Sequence, residues 1–323
     1  MTVYLSTLVP GLARAEMLPG GEWTVEMVAP NADVRCLAAD THAPGTVFAG
    51  TQGGGVLRSD DAGRTFKRAG LDGLIVKSLT VHPTRPGRIY AGTKPPHVFV
   101  SEDGGVHWDE VVGFQRVRRF YWFSPAELPF KPYVQGIAVS TAEPDVLIVG
   151  IEYGAVVRSA DGGRTWQGHR PGALRDCHSL DATGGWFFEG GDRGGAVSDD
   201  GGVTWSRPSG LKRKYGWAVA ADRTDPSLWY LSSAPGVRAH SNDADAAIHR
   251  CRDGGPWEEL AGGLPEPMRA MPYALIAGPE AGRLVAGLSD GEVWETRDAG
   301  DTWVRLAFRL PKVNRAMVCL NQK

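Results

Sequence analysis

Ser159-Ala-Asp-Gly-Gly-Arg-Thr-Trp166 recurs along the chain as Ser59-Asp-Asp-Ala-Gly-Arg-Thr-Phe66, Ser101-Glu-Asp-Gly-Gly-Val-His-Trp108 and Ser198-Asp-Asp-Gly-Gly-Val-Thr-Trp205. Thr296 to Trp303 is a fifth copy with Thr for Ser, and Cys251-Arg-Asp-Gly-Gly-Pro-Trp257 is a shortened sixth. Gly20-Gly-Glu-Trp23 keeps only the Gly and the Trp of a seventh. The pattern S-x-D-x-G-x-x-W/F carries the chemistry of a hairpin turn. Its hydroxyl and carboxylate accept from turn N–H groups, its glycine supplies positive φ, and its aromatic packs over the turn. A repeat of this period is the first thing a fold assignment must explain.

Before each box comes a short β-rich run ending in small residues, as in Val47-Phe-Ala-Gly-Thr51, Ile89-Tyr-Ala-Gly-Thr93, Leu147-Ile-Val-Gly-Ile151 and Leu284-Val-Ala-Gly-Leu288. A further apolar run precedes each of these, for example Lys77-Ser-Leu-Thr-Val81 and Gln135-Gly-Ile-Ala-Val139. With the strands flanking each box, every repeat holds four short strands, the content of a propeller blade. The polar residues opening the first strands are Arg35, Lys77, Gln135, His178, Tyr215, Tyr273 and Arg315. Arg35 to Phe66, Lys77 to Trp108 and Gln135 to Trp166 each span 31 residues, and the 8 residues after Arg315 with the 23 ending at Trp23 complete that interval between them. The expectation is an all-β fold: one seven-bladed β-propeller of four-stranded blades over residues 1–323. Arg315-Ala-Met-Val-Cys-Leu320 should be an inner strand beside Val3-Tyr-Leu-Ser6, a closure that hides sheet edges.

Composition agrees with this reading. Among 323 residues, 43 Gly and 22 Pro leave little room for long helices, and no apolar run approaches the length of a membrane span. A net charge of −2 removes the overall attraction to nucleic acid or anionic membrane, so neither is expected as a partner. Cys36, Cys177, Cys251 and Cys319 have no C-x-x-C spacing and read as reduced core thiols. With no signal-like start, a cytoplasmic monomer is the expectation.

The boxes and their spacing resemble the BNR or Asp-box repeat of sialidases, sortilin-type receptors, xyloglucanase propellers and the plant photosystem II assembly factor. Thr93-Lys-Pro-Pro-His97, Gly150-Ile-Glu152, Asp176-Cys-His178 and Ser233-Ala-Pro-Gly236 with His240 further resemble bacterial single-domain BNR proteins labelled sialidase or glycosyl hydrolase. The resemblance implies that the boxes are structural and that ligands use the opposite mouth. A repeat is evidence of fold before it is evidence of chemistry.

That mouth is built from the openers and from the second-strand loops. It implies Arg35, Lys77, Gln135, Tyr273, Arg315, Lys94, His97, Trp217 and His240 as ligand-binding residues, with His178, Glu152 and Tyr215 as the catalytic set. Two insertions should cover it, at about 112–132 and 233–248, the first carrying Arg116, Arg118, Arg119, Tyr121, Trp122, Phe123 and Lys131. His97, Glu152, His178 and His240 are a candidate divalent-metal set, although no local spacing supports it. Arg315, Arg35 and Lys77 open three consecutive blades, so the ligand should carry an anionic group. The expected function is an enzyme with hydrolase- or lyase-type chemistry on a polar, anionic or sugar-like metabolite. The alternative is a non-catalytic interaction scaffold like the assembly factor. A sialidase is a third reading, weakened because Arg88-Ile-Tyr90 is not the Arg-Ile-Pro segment and only Arg35 and Arg315 supply inner-strand arginines.

Overall fold

A computed structural model describes residues 2–117, 122–125 and 127–321. Seven antiparallel sheets stand around one axis. Their inner strands are Val34–Ala39, Ile75–Val81, Val134–Val139, Cys177–Thr183, Tyr215–Ala221, Pro272–Ala277 and Met317–Asn321, and they head blades 1 to 7 in that order. Each touches the next, and Met317–Asn321 touches Val34–Ala39, so the ring is closed. Blade 7 joins both ends of the chain as expected: Met317–Asn321 pairs with Thr2–Thr7, followed by Leu12–Met17 and Trp23–Val28.

Five sheets have four strands among the described residues. In blades 3 and 4 the fourth strand shrinks to the single bridges Arg158↔Gln167 and Val197↔Ser206.

The core lies between blades. Phe48, Val56 and Ala69 of blade 1, for instance, share one cluster with Val76, Leu79 and Ile89 of blade 2. The small residues of the second strands now have a reason. A Cβ on Gly50 would run into Val76, and one on Gly92 into Val134, each the residue just before the next blade's opener. Glycine is therefore required where adjacent sheets crowd the axis.

The boxes satisfy themselves. Ser159 Oγ donates to Asp161 Oδ1 at 2.8 Å and accepts from Gly163 N–H at 2.9 Å. Asp161 takes the Thr165 N–H and hydroxyl at 2.9 and 2.6 Å, and the Trp166 indole donates to Gly163 O at 2.9 Å. The boxes at Ser59, Ser101, Ser198 and Thr296 repeat the opening Ser/Thr-to-Asp bond and the N–H closure on the Ser/Thr oxygen. Because strands alternate in direction, a box at the end of a third strand lies on the face opposite the openers.

Candidate functional site

The openers sit at β-bulges. Pairing with the second strand skips Arg35, Lys77, Gln135, His178 and Tyr273 in turn. A bulge turns its residue out of the ladder, here toward the axis. Blade 5 departs from the expected register: its bulge falls between Gly216 and Val219, so Trp217 occupies the ring position and Tyr215 lies two residues earlier. The repeat could not reveal the shift, because blade 5 also has a 42-residue opener-to-Trp interval from Tyr215 to Trp257.

Two chambers stack on the axis. The lower, about 280 Å³, is lined by the ring residues and their small neighbours. The upper, about 320 Å³, is walled by Glu127, Tyr133, Glu152, Tyr215, His240, Ser241, Asn242, Ser289, Lys312 and Asn314, and shares Trp217, Tyr273 and Arg315 with the lower.

The cationic arc exists, and it holds an internal carboxylate. Glu127, from the first insertion, bonds to the Lys77 ammonium and accepts from Arg35 at 3.3 Å. The oxygen that meets Arg35, Oε2, also lies 3.8 Å from Arg315, while Lys94, buried, donates to the Glu127 carbonyl at 2.7 Å. Asp33 also meets Arg35, at 2.9 Å. One buried nitrogen on Arg35 and one on Arg315, Nε in each, has no hydrogen-bond partner among the described residues. Burial pushes the Lys77 ammonium down to about 8 despite Glu127. Burial raises the Glu127 carboxyl, but Lys77, with Arg315 and Arg35 behind it, outweighs burial and holds it below the usual range.

Tyr133 stands between this arc and the acidic side. Lys77 lies 4.5 Å and Lys94 5.3 Å from the centre of its ring, and its hydroxyl faces the Glu152 carboxyl. Glu152, buried, has its carboxyl pushed up to about 7 by that burial. It meets Asp176 and His178, with one donor atom of each residue within 4.8 Å of the others. His178 Nδ1 lies 2.7 Å from Gly216 O, so that nitrogen carries the proton, and Nε2 faces Asp176 Oδ2 at 3.5 Å.

The remaining wall is aromatic. The rings of Tyr215 and Trp217 lie 4.9 and 5.0 Å from His178, and Trp217 stands edge-on to His240 and Tyr273. A hydrogen-bonded chain links Tyr215 Oη to His240 Nε2 at 3.0 Å, His240 Nδ1 to Tyr273 Oη at 2.8 Å, and Tyr273 Oη to Ala239 O at 3.2 Å. Because the backbone carbonyl can only accept, Tyr273 donates to it and accepts from His240, which leaves Nε2 to accept from Tyr215.

Of the expected residues, Arg35, Lys77, Gln135, His178, Trp217, Tyr273 and Arg315 line the lower chamber. Glu152, Tyr215 and His240 line the upper, and Lys94 reaches it through Glu127. His97 does not join them. It pairs with Glu110 at 2.7 Å and Gln115 at 2.8 Å and lines neither chamber, so the four-residue metal set does not assemble. His240 is likewise held by the two tyrosines, and Asp176 takes its place beside Glu152 and His178. Arg118, Arg119 and Tyr121 lie outside the described residues. Sequence reasoning missed Glu127 and Tyr133, which belong to or follow the first insertion and carry no repeat signal. Asp176, two residues before His178, was visible only as a neighbour.

Fold and repeat together define a seven-bladed Asp-box β-propeller: the model of the BNR/Asp-box repeat matches residues 196–207. No curated protein matches the chain in sequence. Among solved structures it is similar to the GH74 xyloglucanase of Xanthomonas campestris (18% identity, TM-score 0.67, 93% of this chain and 52% of that one). It is also similar to an ancestral GH74 enzyme (16%, TM-score 0.60, 84% and 38%). YCF48 bound to D1 peptide matches over 98% of both chains, at 13% identity and a TM-score of 0.58. The chain thus spans about half or less of the two GH74 structures, and at these identities the likeness is one of fold.

Proposed function

We propose that the protein is an enzyme that binds a small polar ligand bearing a carboxylate, sulfate or phosphate in the upper chamber. It acts there by proton transfer, in hydrolase- or lyase-type chemistry. The observation that carries this reading is the convergence, around two stacked chambers that share Trp217, Tyr273 and Arg315, of an arc of four cations with a proton-holding carboxyl and a tyrosine–histidine–tyrosine chain. The arc still has positive charge to offer, because Glu127 and Asp33 are two acids against Arg35, Lys77, Lys94 and Arg315. Glu152 holds a proton near neutral pH, the condition for general acid–base work, and Tyr215 can pass one to His240. The aromatic wall suits the apolar face of a sugar ring. The reading includes a cytoplasmic monomer that binds neither nucleic acid nor membrane.

Thermal-shift screening with phosphate, citrate and glucuronate tests it, comparing wild type with Arg35→Ala and Arg315→Ala. Anion-dependent stabilisation of the wild type that both variants lose supports the reading. No stabilisation, or equal stabilisation in both variants, sinks it.

One observation favours the scaffold reading. Val112, Phe123, Leu128 and Phe130 of the first insertion are more than half exposed, an apolar group at the rim that fits a protein partner better than a metabolite. Retention of a partner by the wild type but not by a Phe123→Ser/Phe130→Ser double variant would favour it.

A further inference from the structure

Glu152, Asp176 and His178 form a buried cluster whose carboxylate charge, among the described residues, is balanced only by protons and by His178. All three are buried, and among the described residues neither carboxylate makes an ion pair with Lys or Arg. Two carboxylates taken out of water need a positive charge or a proton beside them. His178 is the only group in contact that could supply one, and the rest of its surroundings bears on how.

Each of the three is also tied from behind. His178 Nδ1–H donates to Gly216 O at 2.7 Å, which leaves Nε2 directed at Asp176. Asp176 Oδ1 accepts from Tyr153 N–H at 3.1 Å, leaving Oδ2 toward the imidazole. Glu152 has the Tyr133 hydroxyl beside it. One outer partner per ligand, each leaving a single donor atom to converge, is the arrangement that orients metal ligands. A proton on Nε2 balances Asp176 alone, whereas a metal ion in the same place balances both carboxylates.

We propose that Glu152, Asp176 and His178 bind one divalent transition-metal ion of the zinc or manganese kind, each through one atom, with Glu152 at the wall of the upper chamber. One imidazole nitrogen and two carboxylate oxygens form a borderline donor set. It is too poor in oxygen for calcium and includes no thiolate, since the intervening Cys177 turns its Sγ toward Gly150 and Ser179 O. Ligand atoms about 2.1 Å from a metal lie roughly 3 to 4 Å apart. The trio, at 4.8 Å or less, needs only small side-chain rotations to close on an ion. Three protein ligands leave further positions for water or a ligand atom, as in catalytic rather than structural sites. The site goes beyond the anion reading and does not depend on it. The ion displaces the proton from Glu152 and leaves the Tyr215–His240 chain as the proton carrier of the chamber.

The test uses the full chain without an affinity tag, stripped with EDTA and titrated with ZnCl2 or MnCl2 by calorimetry, with metal content and thermal midpoint read in parallel. One equivalent bound, with a raised midpoint, is expected for the wild type. Tyr133→Phe, which removes only an outer partner, should weaken binding about tenfold. Asp176→Asn and Glu152→Gln should each weaken it more. Absence of stoichiometric binding of either ion to the wild type overturns the proposal and leaves a proton shared by His178 and Asp176. Binding that Asp176→Asn and Glu152→Gln leave unchanged overturns it too, by placing the ion elsewhere. Arg315→Ala should retain metal binding while losing anion stabilisation, so failure here and failure of the anion reading are separable.

Discussion

Glu127→Gln is the most informative single change. The side chain has nearly the same shape, but the arc of Arg35, Lys77, Lys94 and Arg315 loses the one carboxylate they share. Two unit charges 4 Å apart interact by about 4 kcal/mol at the effective dielectric of a protein surface, and removing one member of a buried pair costs about 3–5 kcal/mol. The Lys77 and Lys94 side chains are at most 2% exposed, but that of Glu127 is 22% exposed. The amide also keeps an acceptor, so the expected loss at pH 7 and low salt is smaller, about 2–3 kcal/mol.

The pH dependence follows from the same groups. Glu127 is depressed when folded, so its contribution is fully present above about 4.5 and is lost as pH falls through its lower folded value. Lys77 titrates at about 8 when folded against 10.5 otherwise, so the unfolded chain binds more protons in that window and stability rises with pH across it. Without Glu127 the ammonium is depressed further, and the rise should begin below pH 8. Urea unfolding of both proteins between pH 4 and 10, with and without phosphate, measures all of this. Phosphate should recover part of the loss in the variant by taking the carboxylate's place. A variant within about 0.5 kcal/mol of wild type, with an unchanged profile, would refute the view that Glu127 organises the arc.

Trp166→Ala should lower stability by about 3 kcal/mol, since the indole packs against Phe114 at 5.4 Å and closes its box on Gly163. His178→Ala should also be costly: the imidazole lines the lower chamber but is only 5% exposed and bonded to Gly216 O, so denaturant titration should show a loss of about 1–3 kcal/mol. Deleting Val313 to Lys323 removes the strand paired with Thr2–Ser6 and exposes two edges; a truncated chain that stayed soluble and melted cooperatively would contradict the role of this closure.

The fold was legible because a closed ring of blades forces the same local problem on every repeat, and similar residues solve it. Ser159, Asp161 and Gly163 mark a turn, and Gly50, Gly92 and Gly150 mark the crowded inner contact wherever they occur. Function resides in departures from the repeat, which a repeat search discards as noise. Glu127 is one of many polar residues in an insertion with no period, and only the fold brings it to Lys77, 50 positions away in sequence. Tyr215 was taken for the ring residue for a related reason: a bulge moves by one or two residues at little cost, and Tyr215 and Trp217 are both amphipathic aromatics able to stand at a strand mouth. His97 shows the converse error, since a second-strand loop carries a residue to the rim without deciding whether it turns inward. Here Glu110 and Gln115 hold it outside.

The chamber's asymmetry also follows from which blades depart from the pattern. Blades 7, 1 and 2 contribute Arg315, Arg35 and Lys77, while Glu152 and Asp176 approach from blades 3 and 4 and the tyrosine–histidine chain from blades 5 and 6. Tyr133 joins the first two sectors with two different parts of one side chain: its ring face receives the ammonium groups, and its hydroxyl faces Glu152. A phenol is suited to this position because the negative face of its ring attracts cations without neutralising them, and its hydroxyl donates to a carboxyl without adding charge. The arc therefore remains free to respond to anions while its field still reaches Glu152, where Lys77 pulls the carboxyl down against the burial that raises it. Replacing Tyr133 by leucine would preserve the volume of the partition and remove both connections. The two sectors would then titrate as neighbours in space that no longer share a side chain.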